Sequence, residues 1–365
     1  VDFVGWEDIN QQTAVTSNSG AGPDIIIGFG DAPHIYVDKL IELSDVADYI
    51  GKRYGGWLAL AEKYGKKART NNWIGIPFGA SGGPLVYRKS IVNSVGFDRV
   101  PDDHAGILDL YRKLQKAGKP AGFALGNAVG DGNGFASWLL WSHGASLLDE
   151  EGGVIINSKE TIAALKYLKE LYPTFIAGTP SWNDVANNRA YSAQEISLTA
   201  NGVSLYFALK NDPATKPIAD DTEHQLLPKG VAPVSPMSGL TLNAMVFKHS
   251  PYPNAAKAFL AFMLEKEQYE PWLNANSGYW SQPLAAYADA AVWSSDPKVK
   301  IFKDTMLSTY YDGYKGPIST ATGAVSADYV LIQMCAAVAT GAQTPEAAAA
   351  EAEQRAKRYF RRQGR

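Results

Sequence analysis

The segment from Trp73 to Lys89 constrains this chain most, because its order of strand and loop decides between a catalytic serine and a chain crossing. Gly79–Gly83 fits the G-x-S-x-G pattern, which places a nucleophilic serine on a strained turn between a strand and a helix. Here two glycines and Pro84 follow Ser81, and both residue types disfavour a helix. The segment therefore predicts two short strands around a loop of small residues, which suits a crossing between two lobes better than a nucleophile.

The length of the chain and its alternating pattern favour an α/β protein of two lobes. A chain of 365 residues is longer than one ordinary core supports, and predicted strands alternate with helices along it. Asp24–Phe29 predicts a buried strand, and Ile107–Lys116 predicts a helix that closes at Gly118. The other predicted elements are strands over Val203–Phe207 and Leu240–Phe247, and helices that begin near Asn157, at Pro253 and at Pro345 after a Thr344 cap.

Composition and motif spacing exclude several classes of function. The formal net charge of −3 gives no reason to expect nucleic acid or an anionic membrane as a partner. Cys335 is the only cysteine, so the chain has neither a disulfide framework nor a thiolate cluster. The five histidines are scattered, phosphate-binding motifs are absent, and no apolar run approaches the length of a membrane span. We therefore predict no cofactor, no metal and no nucleic acid partner.

The aromatic content and one carboxylate point to recognition of a small polar ligand. Nine tryptophans and nineteen tyrosines suit sugar recognition, because flat rings stack on C–H faces while their polar tips reach hydroxyls. Asp31 directly follows the predicted strand Asp24–Phe29, and open α/β sheets bind ligands at the carboxyl ends of their strands. The alternative is that Asp31 caps the helix that follows it.

Further candidates come from the local pattern around single aromatic and polar residues. Phe135 and Trp138 lie near the start of a helix and are candidates for a ligand wall. In the predicted strand after Gly202, a period of two places Ser204 and Tyr206 on one side. Trp280 belongs to a loop pair of aromatic residues, and loop aromatics are more often functional than helical ones.

Several segments, in one order along the chain, resemble a known family. These segments are Gly22–Ile26, Gly75–Phe78 with Val86–Lys89, Glu195–Gly202, Asn243–Leu264, Gly278–Pro283 and Thr340–Glu346. They are similar to segments of extracellular solute-binding proteins, family 1, the periplasmic sugar-binding components of ABC importers, which include the maltodextrin-binding proteins. The resemblance covers essentially the whole chain. Each motif alone is weak evidence for the family. Together they are specific, because they follow one another in the family's order.

The resemblance implies an α/β fold of the type II periplasmic binding protein kind, with two lobes around a ligand cleft and several hinge crossings. We expect lobe 1 to comprise residues 1–82 and 242–295, and lobe 2 to comprise residues 83–241 and 296–365. The family's opening strand and helix would precede Val1. The resemblance also implies a periplasmic or otherwise extracytoplasmic location, and we expect a monomer.

Carried over residue by residue, the resemblance implies a ligand site that departs from that of the maltodextrin binders. Asp31 matches an aspartate that binds sugar hydroxyls, and Phe135 matches a stacking aromatic residue. Ser81 stands where those relatives place a glutamate. Ser204 stands where they place a stacking tryptophan, and Asp328 lies near the position of another. The loss of two stacking rings favours a ligand smaller and more hydrophilic than a long glucan.

The full set of expected ligand contacts leads to one preferred function and two alternatives. The set contains Asp31, Ser81, Phe135, Ser204 and Asp328, and in addition Trp138, Trp182, Tyr206, Gly239 and Trp280. Of the aromatic residues, Tyr206, Trp280 or Trp182 could restore a stack. We predict a non-enzymatic binder that captures a mono- or disaccharide or a polyol and delivers it to a membrane-embedded ABC permease. The alternatives are a serine hydrolase that uses Ser81, and a binding protein that feeds a chemoreceptor or sensor kinase.

Overall fold

The secondary structure is mixed, with many helices and two small sheets. The computed structural model describes residues 1–5, 8–307 and 310–363. The α-helices are α1 (Ile9–Ser19), α2 (Ala32–Ile35), α3 (Ser44–Arg53), α4 (Ala59–Gly65), α5 (Lys89–Ser94), α6 (His104–Lys116), α7 (Asp131–Ser142), α8 (Lys159–Leu171), α9 (Ala186–Ser192), α10 (Val203–Asn211), α11 (Lys216–Asp221), α12 (Pro253–Met263), α13 (Lys266–Ala275), α14 (Val292–Ser295), α15 (Thr320–Ala327), α16 (Val330–Ala339) and α17 (Pro345–Gln363). The strands are β1 (Ile25–Phe29), β2 (Ile76–Gly82), β3 (Leu85–Arg88), β4 (Leu198–Ala200), β5 (Thr222–Gln225) and β6 (Gly239–Val246). Short 3-10 helices cover Val37–Lys39, Tyr172–Thr174, Thr179–Ser181, Ala285–Asp289 and Lys300–Leu307.

The chain divides into two compact units, and it passes between them five times. Unit 1 comprises Val1–Ser81, Gly239–Asp312 and Pro317–Gly323. Unit 2 comprises Gly82–Ser238, Gly313–Gly316 and Ala324–Arg365. Two lobes joined by several crossings are therefore present, each built from helices and one sheet.

The division differs from the expected boundaries mainly after residue 295. Residues 296–312 belong to unit 1, whereas we expected them in the second lobe. The reason is packing: the 3-10 helix Lys300–Leu307 lies against α4, and Phe302 and Met306 are buried there. Pro317–Gly323 also belongs to unit 1, so the last part of the chain crosses between the units more often than expected.

Unit 1 is organised around a three-stranded sheet in the order β1-β6-β2. Strand β1 pairs antiparallel with β6, with Ile25 opposite Val246 and Phe29 opposite Leu242. Met245 and Phe247 are buried in a core cluster with Ile26. Both strands were predicted from their apolar runs, and the structure confirms them.

Unit 2 has a three-stranded sheet in the order β4-β3-β5 and a larger core made mostly by helices. Strand β3 pairs antiparallel with both neighbours. Helices α7, α8, α16 and α17 pack on one another, and the buried stripe of α8 includes Leu165, Leu168 and Leu171. The predicted helix over Ile107–Lys116 is confirmed as part of α6, and the glycine at 118 has a φ of 70°.

The strand predicted over Val203–Phe207 is wrong, because these residues form the start of helix α10. The buried residues of α10 are Val203, Leu205, Tyr206 and Leu209. Val203, Tyr206 and Leu209 are spaced three apart and Leu205 and Leu209 four apart, as on one helical face. The period of two that placed Ser204 and Tyr206 on one side followed from the predicted strand. The longer apolar run to Leu209 carries the helical period.

The segment after Ser81 lacks the helix that a nucleophile elbow requires. Strand β2 continues through the small residues to Gly82, and β3 begins at Leu85. The predicted loop is therefore shorter than expected, while the predicted strand on each side is confirmed. Ser81 is the last residue of unit 1 before the chain enters unit 2. This context supports the crossing and contradicts the elbow.

Residues 320–339 form a stretch that, within the described part of the chain, is long and apolar enough to cross a membrane. From the sequence we expected no apolar run to approach the length of a membrane span. In the structure Tyr329 has a φ of 53° and separates α15 from α16, so the stretch is not one continuous helix. Ile332, Cys335 and Val338 are buried in the core of unit 2. The apolar composition therefore serves packing.

The helix caps agree with the sequence to within one residue. Helix α8 is capped by Ser158, whose hydroxyl accepts a hydrogen bond from the Thr161 N–H, and not by the neighbouring Asn157. Helix α17 begins at Pro345, and the Thr344 hydroxyl accepts from the Ala347 N–H at 3.2 Å. The predicted cap at Thr344 is confirmed.

Removal of the Thr344 hydroxyl should destabilise the protein by about 1 kcal/mol, because an N–H at the start of α17 loses its acceptor. We expect Thr344→Ala to lower the urea midpoint followed by circular dichroism. Thr344→Ser, which keeps the hydroxyl, should lie close to the unmutated protein. Equal midpoints for the alanine and serine variants would contradict a capping role.

Candidate ligand site

The end of β1 places Asp31 at the start of α2. Gly30 has a φ of 54° and turns the chain out of the strand, while Asn243 Nδ2 donates a hydrogen bond of 2.7 Å to the Gly30 carbonyl. The Asp31 carbonyl accepts from the N–H groups of His34 and Ile35, but its side chain makes no capping bond. The alternative interpretation of the Asp31 side chain as a helix cap is therefore wrong.

The Asp31 carboxyl group is buried next to a second acidic side chain. Asp31 is 7% exposed, and its Oδ2 atom has no hydrogen-bond partner in the protein. Burial raises the pKa of Asp31 well above its usual range. The nearby Asp312 raises this pKa further, and the Thr322 hydroxyl lowers it in part. A buried carboxyl oxygen without a hydrogen-bond partner is costly for the folded protein.

Sequence reasoning missed Asp312, Thr322 and Tyr64, which surround Asp31 in unit 1. The Tyr64 hydroxyl accepts a hydrogen bond of 3.1 Å from the Asp312 N–H. These residues lie far from Asp31 along the chain and belong to no recognisable motif. An isolated acidic or hydroxyl side chain in a sequence carries no signal of its neighbours in space.

Trp280 lies in the same unit and stacks on Phe29, two residues before Asp31. The two ring centroids are 6.2 Å apart, and the ring planes differ by 17°. Trp280 is only half-buried, and Tyr279 packs edge-on against it with centroids 5.1 Å apart. The predicted loop aromatic is therefore supported from one side by the strand that carries Asp31.

Ser81 and Gly239 both lie at points where the chain changes unit. Ala80, next to Ser81, pairs with Ser281, whose N–H donates to the Ala80 carbonyl at 2.7 Å. A side chain at Gly79 would meet the Cβ atom of Trp280, so Trp280 lies directly against the end of β2. Gly239 begins β6, and a side chain there would meet Leu60. Ser81 is thus close to Trp280, whereas Gly239 is a packing position.

Phe135 and Trp138 lie in the core of unit 2, so the structure contradicts the expected ligand wall. Both are less than 5% exposed. The Phe135 ring packs against Phe123, Phe175 and Trp138, and the Trp138 indole N–H donates to the Pro228 carbonyl at 2.8 Å. The faces of these two rings are covered by protein side chains, where we expected them to contact a sugar.

Ser204 and Tyr206 point in different directions, because they lie two apart on a helix. Ser204 is exposed, while Tyr206 is 5% exposed and packs edge-on against His224 with ring centroids 5.5 Å apart. A shared ligand-facing side for the two residues is therefore wrong. The error follows from the strand predicted over this segment.

Asp328 and Trp182 also have partners within unit 2. The Asp328 carboxylate forms an ion pair of 3.0 Å with Arg355, which holds the pKa of Asp328 below its usual range. Trp182 is half-buried, and its ring lies over Gly122, where a side chain would collide with it. Asp328 is therefore committed to an ion pair, while Trp182 leaves part of its ring accessible.

Unit 2 contains a second acidic pair, half-buried, that sequence reasoning missed. The Asp184 carboxylate accepts hydrogen bonds from the N–H groups of residues 129–131 at 2.7 to 2.9 Å. Asp131 accepts from Asn187 Nδ2 at 2.8 Å, and burial together with Asp184 raises the pKa of Asp131 to about 8. Neither Asp131 nor Asp184 is among the site residues predicted from the sequence.

The histidines do not form a metal site with other residues. Within residues 1–5, 8–307 and 310–363, no group of three or more His, Cys, Asp or Glu side chains could hold a metal ion. His104 and His143 stack with ring centroids 3.8 Å apart and planes 9° apart. His143 Nδ1 donates to the Leu139 carbonyl at 2.8 Å. Burial and the neighbouring His104 lower the pKa of His143 to about 4.

The stacked histidines should make the protein less stable in acid. The pKa of His143 in the folded protein lies below the ordinary value of about 6.5, so the unfolded chain binds more protons between these values. Stability should therefore fall as the pH drops from about 6.5 towards about 4. We expect His143→Gln to lose less stability than the unmutated protein between pH 8 and pH 5 in urea unfolding. An equal or larger loss in the variant would contradict this assignment.

Comparison with known proteins supplies the class to which this arrangement belongs. Residues 1–301 match the sequence model of the family described as bacterial extracellular solute-binding protein. The chain belongs to this family. It is also 24% identical over 304 residues to YcjN of Escherichia coli (strain K12), named as an ABC transporter periplasmic-binding protein, covering 80% of this chain and 67% of that protein.

Solved structures share the fold at low sequence identity. The maltose-bound MalE3 of T. maritima has a TM-score of 0.74 at 21% identity, covering 95% of this chain and 88% of that one. A solute-binding protein from Agrobacterium radiobacter K84 in complex with ribitol has a TM-score of 0.80 at 16% identity, covering 98% and 90%. These similarities show the α/β periplasmic binding protein fold expected from the sequence.

Proposed function

We propose that this protein is the solute-binding component of an ABC importer, and that its ligand is a mono- or disaccharide or a polyol. The observation that carries the proposal is the buried Asp31 carboxyl, whose Oδ2 atom lacks a partner. A ligand hydroxyl that reached this buried atom would supply the hydrogen-bond donor that it lacks. Relatives support the class of ligand, because one solved neighbour holds maltose and another holds ribitol.

Aromatic stacking would complement the carboxylate. Trp280 is only half-buried and is held by Phe29 from one side, so its remaining surface can take a C–H face of a sugar or polyol. Ser81, at the end of the neighbouring strand, could add a hydrogen bond. Trp182 stays a prediction in unit 2, as does a ligand site between two lobes. Phe135, Trp138, Ser204, Tyr206 and Asp328 are not retained, because packing, exposure or an ion pair accounts for each.

The proposed role includes delivery of the captured solute to a membrane permease by a monomeric, non-enzymatic protein in the periplasm or outside the cell. YcjN, which matches most of this chain, is named for a periplasmic role in ABC transport. The strand that follows Ser81 also removes the support for a hydrolase. A role in feeding a chemoreceptor or sensor kinase would use the same ligand-binding step.

A panel of sugars and polyols that includes maltose and ribitol should contain a compound that raises the melting temperature. For such a compound, Asp31→Asn should weaken binding about tenfold or more in calorimetry, since a hydrogen bond to a charged group contributes about 1.5–3 kcal/mol. Asp38→Asn, on the exposed 3-10 helix Val37–Lys39, is the matched control and should bind normally. Trp280→Ala should weaken binding several-fold through loss of stacking. The proposal fails if no compound in a broad panel binds.

The absence of hydrolase chemistry can be tested separately. We expect a fluorophosphonate probe to leave Ser81 unlabelled, because the strand–turn–helix geometry that activates such a serine is missing. Mass spectrometry of the peptide that contains Ser81 would detect the adduct. Labelling of the unmutated protein that disappears in Ser81→Ala would contradict a purely binding role.

A further inference from the structure

We propose that Asp184 is a positioning residue for ligand binding in unit 2, because its carboxylate fixes the loop that carries the Trp182 ring to the start of α7. The inference rests on the proposed function, since Trp182 is one of the ligand contacts expected from the sequence. It goes beyond that function by naming the group that sets the orientation of the ring. Asp184 acts through Trp182 and is not itself a ligand contact.

The Asp184 carboxylate uses both of its oxygens to hold the backbone at the start of α7. Its Oδ2 atom accepts a hydrogen bond of 2.7 Å from the Val129 N–H. Its Oδ1 atom accepts bonds of 2.9 and 2.8 Å from the N–H groups of Gly130 and Asp131. Hydrogen bonds to an ionised group are stronger than those between neutral groups, and the start of a helix favours negative charge. These bonds therefore fix Asp184 to α7 more firmly than a neutral side chain would.

A second attachment lies at the other end of the same loop. The 3-10 helix Thr179–Ser181 precedes Trp182. The Thr179 carbonyl accepts a hydrogen bond of 3.0 Å from the Leu125 N–H and one of 3.1 Å from the Trp182 N–H. Trp182 thus lies between two attachments to the segment that leads into α7, one at Thr179 and one at Asp184. Because few residues separate these attachments, the backbone of Trp182 is restricted from both sides.

Two glycines of that segment leave room for Trp182. A Cβ atom on Gly122 would lie 2.7 Å from Cη2 and 2.9 Å from Cζ3 of the Trp182 ring. A Cβ atom on Gly126 would collide with the Trp182 carbonyl oxygen. One edge of the ring therefore rests on the backbone at Gly122, while Trp182 as a whole is only half-buried. A small movement of the loop would lift this edge, so the orientation of the ring depends on how firmly the loop is held.

A fixed ring is a better ligand contact than a mobile one. Stacking on a C–H face of a sugar or polyol requires one face of the ring in a defined direction. A side chain that is already ordered loses less conformational freedom when the ligand binds, so more of the stacking energy appears as affinity. Asp184 contributes to binding by this preorganisation, since both of its oxygens already accept hydrogen bonds from the backbone.

Asp103 provides a matched control within unit 2. Its Oδ1 atom accepts a hydrogen bond of 2.8 Å from the Gly106 N–H at the start of α6. Like Asp184, it is a carboxylate that satisfies a backbone N–H at the beginning of a helix. Unlike Asp184, it caps its own helix and does not attach a separate loop. Loss of either carboxylate removes a backbone acceptor, but only the loss at residue 184 releases the loop of Trp182.

Fluorine NMR of the ligand-free protein labelled with 5-fluorotryptophan tests the hold on the ring. The Trp182 signal is assigned by its loss in Trp182→Phe. We expect Asp184→Ala to shift or broaden this signal and Asp103→Ala to leave it unchanged. Asp184→Asn, which keeps the size of the side chain but only one accepting oxygen, should give a smaller change. If Asp184→Ala does not fold, Asp184→Asn takes its place in this and the next measurement.

Calorimetry with the panel compound that binds tests the role in binding. Trp182→Ala should weaken binding about two- to tenfold through loss of stacking, and Asp184→Ala should weaken it by a similar factor or less. The double variant should bind no more weakly than Trp182→Ala alone, because Asp184 acts through the ring. Asp103→Ala should bind as the unmutated protein does.

The outcomes separate this proposal from the proposed function. An unchanged Trp182 signal in the Asp184 variant overturns the positioning role even if a sugar binds. A double variant whose loss of affinity is the product of the two single losses also overturns it, since the two residues then act independently. Unchanged affinity in Trp182→Ala overturns the ligand contact in unit 2, while the Asp31 and Trp280 variants still decide the proposed function. A panel without any binder overturns the proposed function and this role in binding together.

Discussion

The antiparallel pairing of β1 with β6 is the interaction on which unit 1 depends. Strand β6 begins only after the chain has completed the long segment of unit 2 from Gly82 to Ser238, so this pairing returns the chain to its first sheet. The hydrogen-bonded register brings Phe29 opposite Leu242 and buries Met245 beneath the sheet. The residues at the end of β1 are positioned by this pairing, since Asn243 of β6 donates a hydrogen bond to the Gly30 carbonyl.

In unit 1 the candidate ligand-binding side chains lie at and just after the end of β1. The chain turns at Gly30, Phe29 supports Trp280, and the Asp31 carboxyl lies close to Thr322 and Gly323, the last residues before another crossing. Burial of a carboxyl group without a hydrogen-bond partner destabilises the folded protein. The burial of Asp31 therefore calls for an explanation beyond packing. The Asp31 carboxyl oxygen is the acidic side-chain atom among the buried polar atoms that lack a partner in the described part of unit 1.

Local patterns predicted much of the fold and less of the site. Apolar runs identified β1 and β6, and cap residues located the start of α17 within the sequence itself. Ser204 and Tyr206 show the limit, since the predicted strand placed them on one side, whereas Leu209 completes a helical face. Phe135 shows another limit, because an aromatic ring has the same sequence signature whether it packs in a core or stacks on a sugar.

The sequence by itself determined the family, the α/β class and the two-lobe organisation, because several short motifs kept their order along the chain. It also singled out Asp31, which follows the end of a strand, and Trp280, which lies in a loop. Only the tertiary structure placed Asp312 and Thr322 beside Asp31 and paired Asp328 with Arg355. Contacts between residues that are distant along the chain leave no local pattern, and they decide which polar atoms are buried and which have a partner.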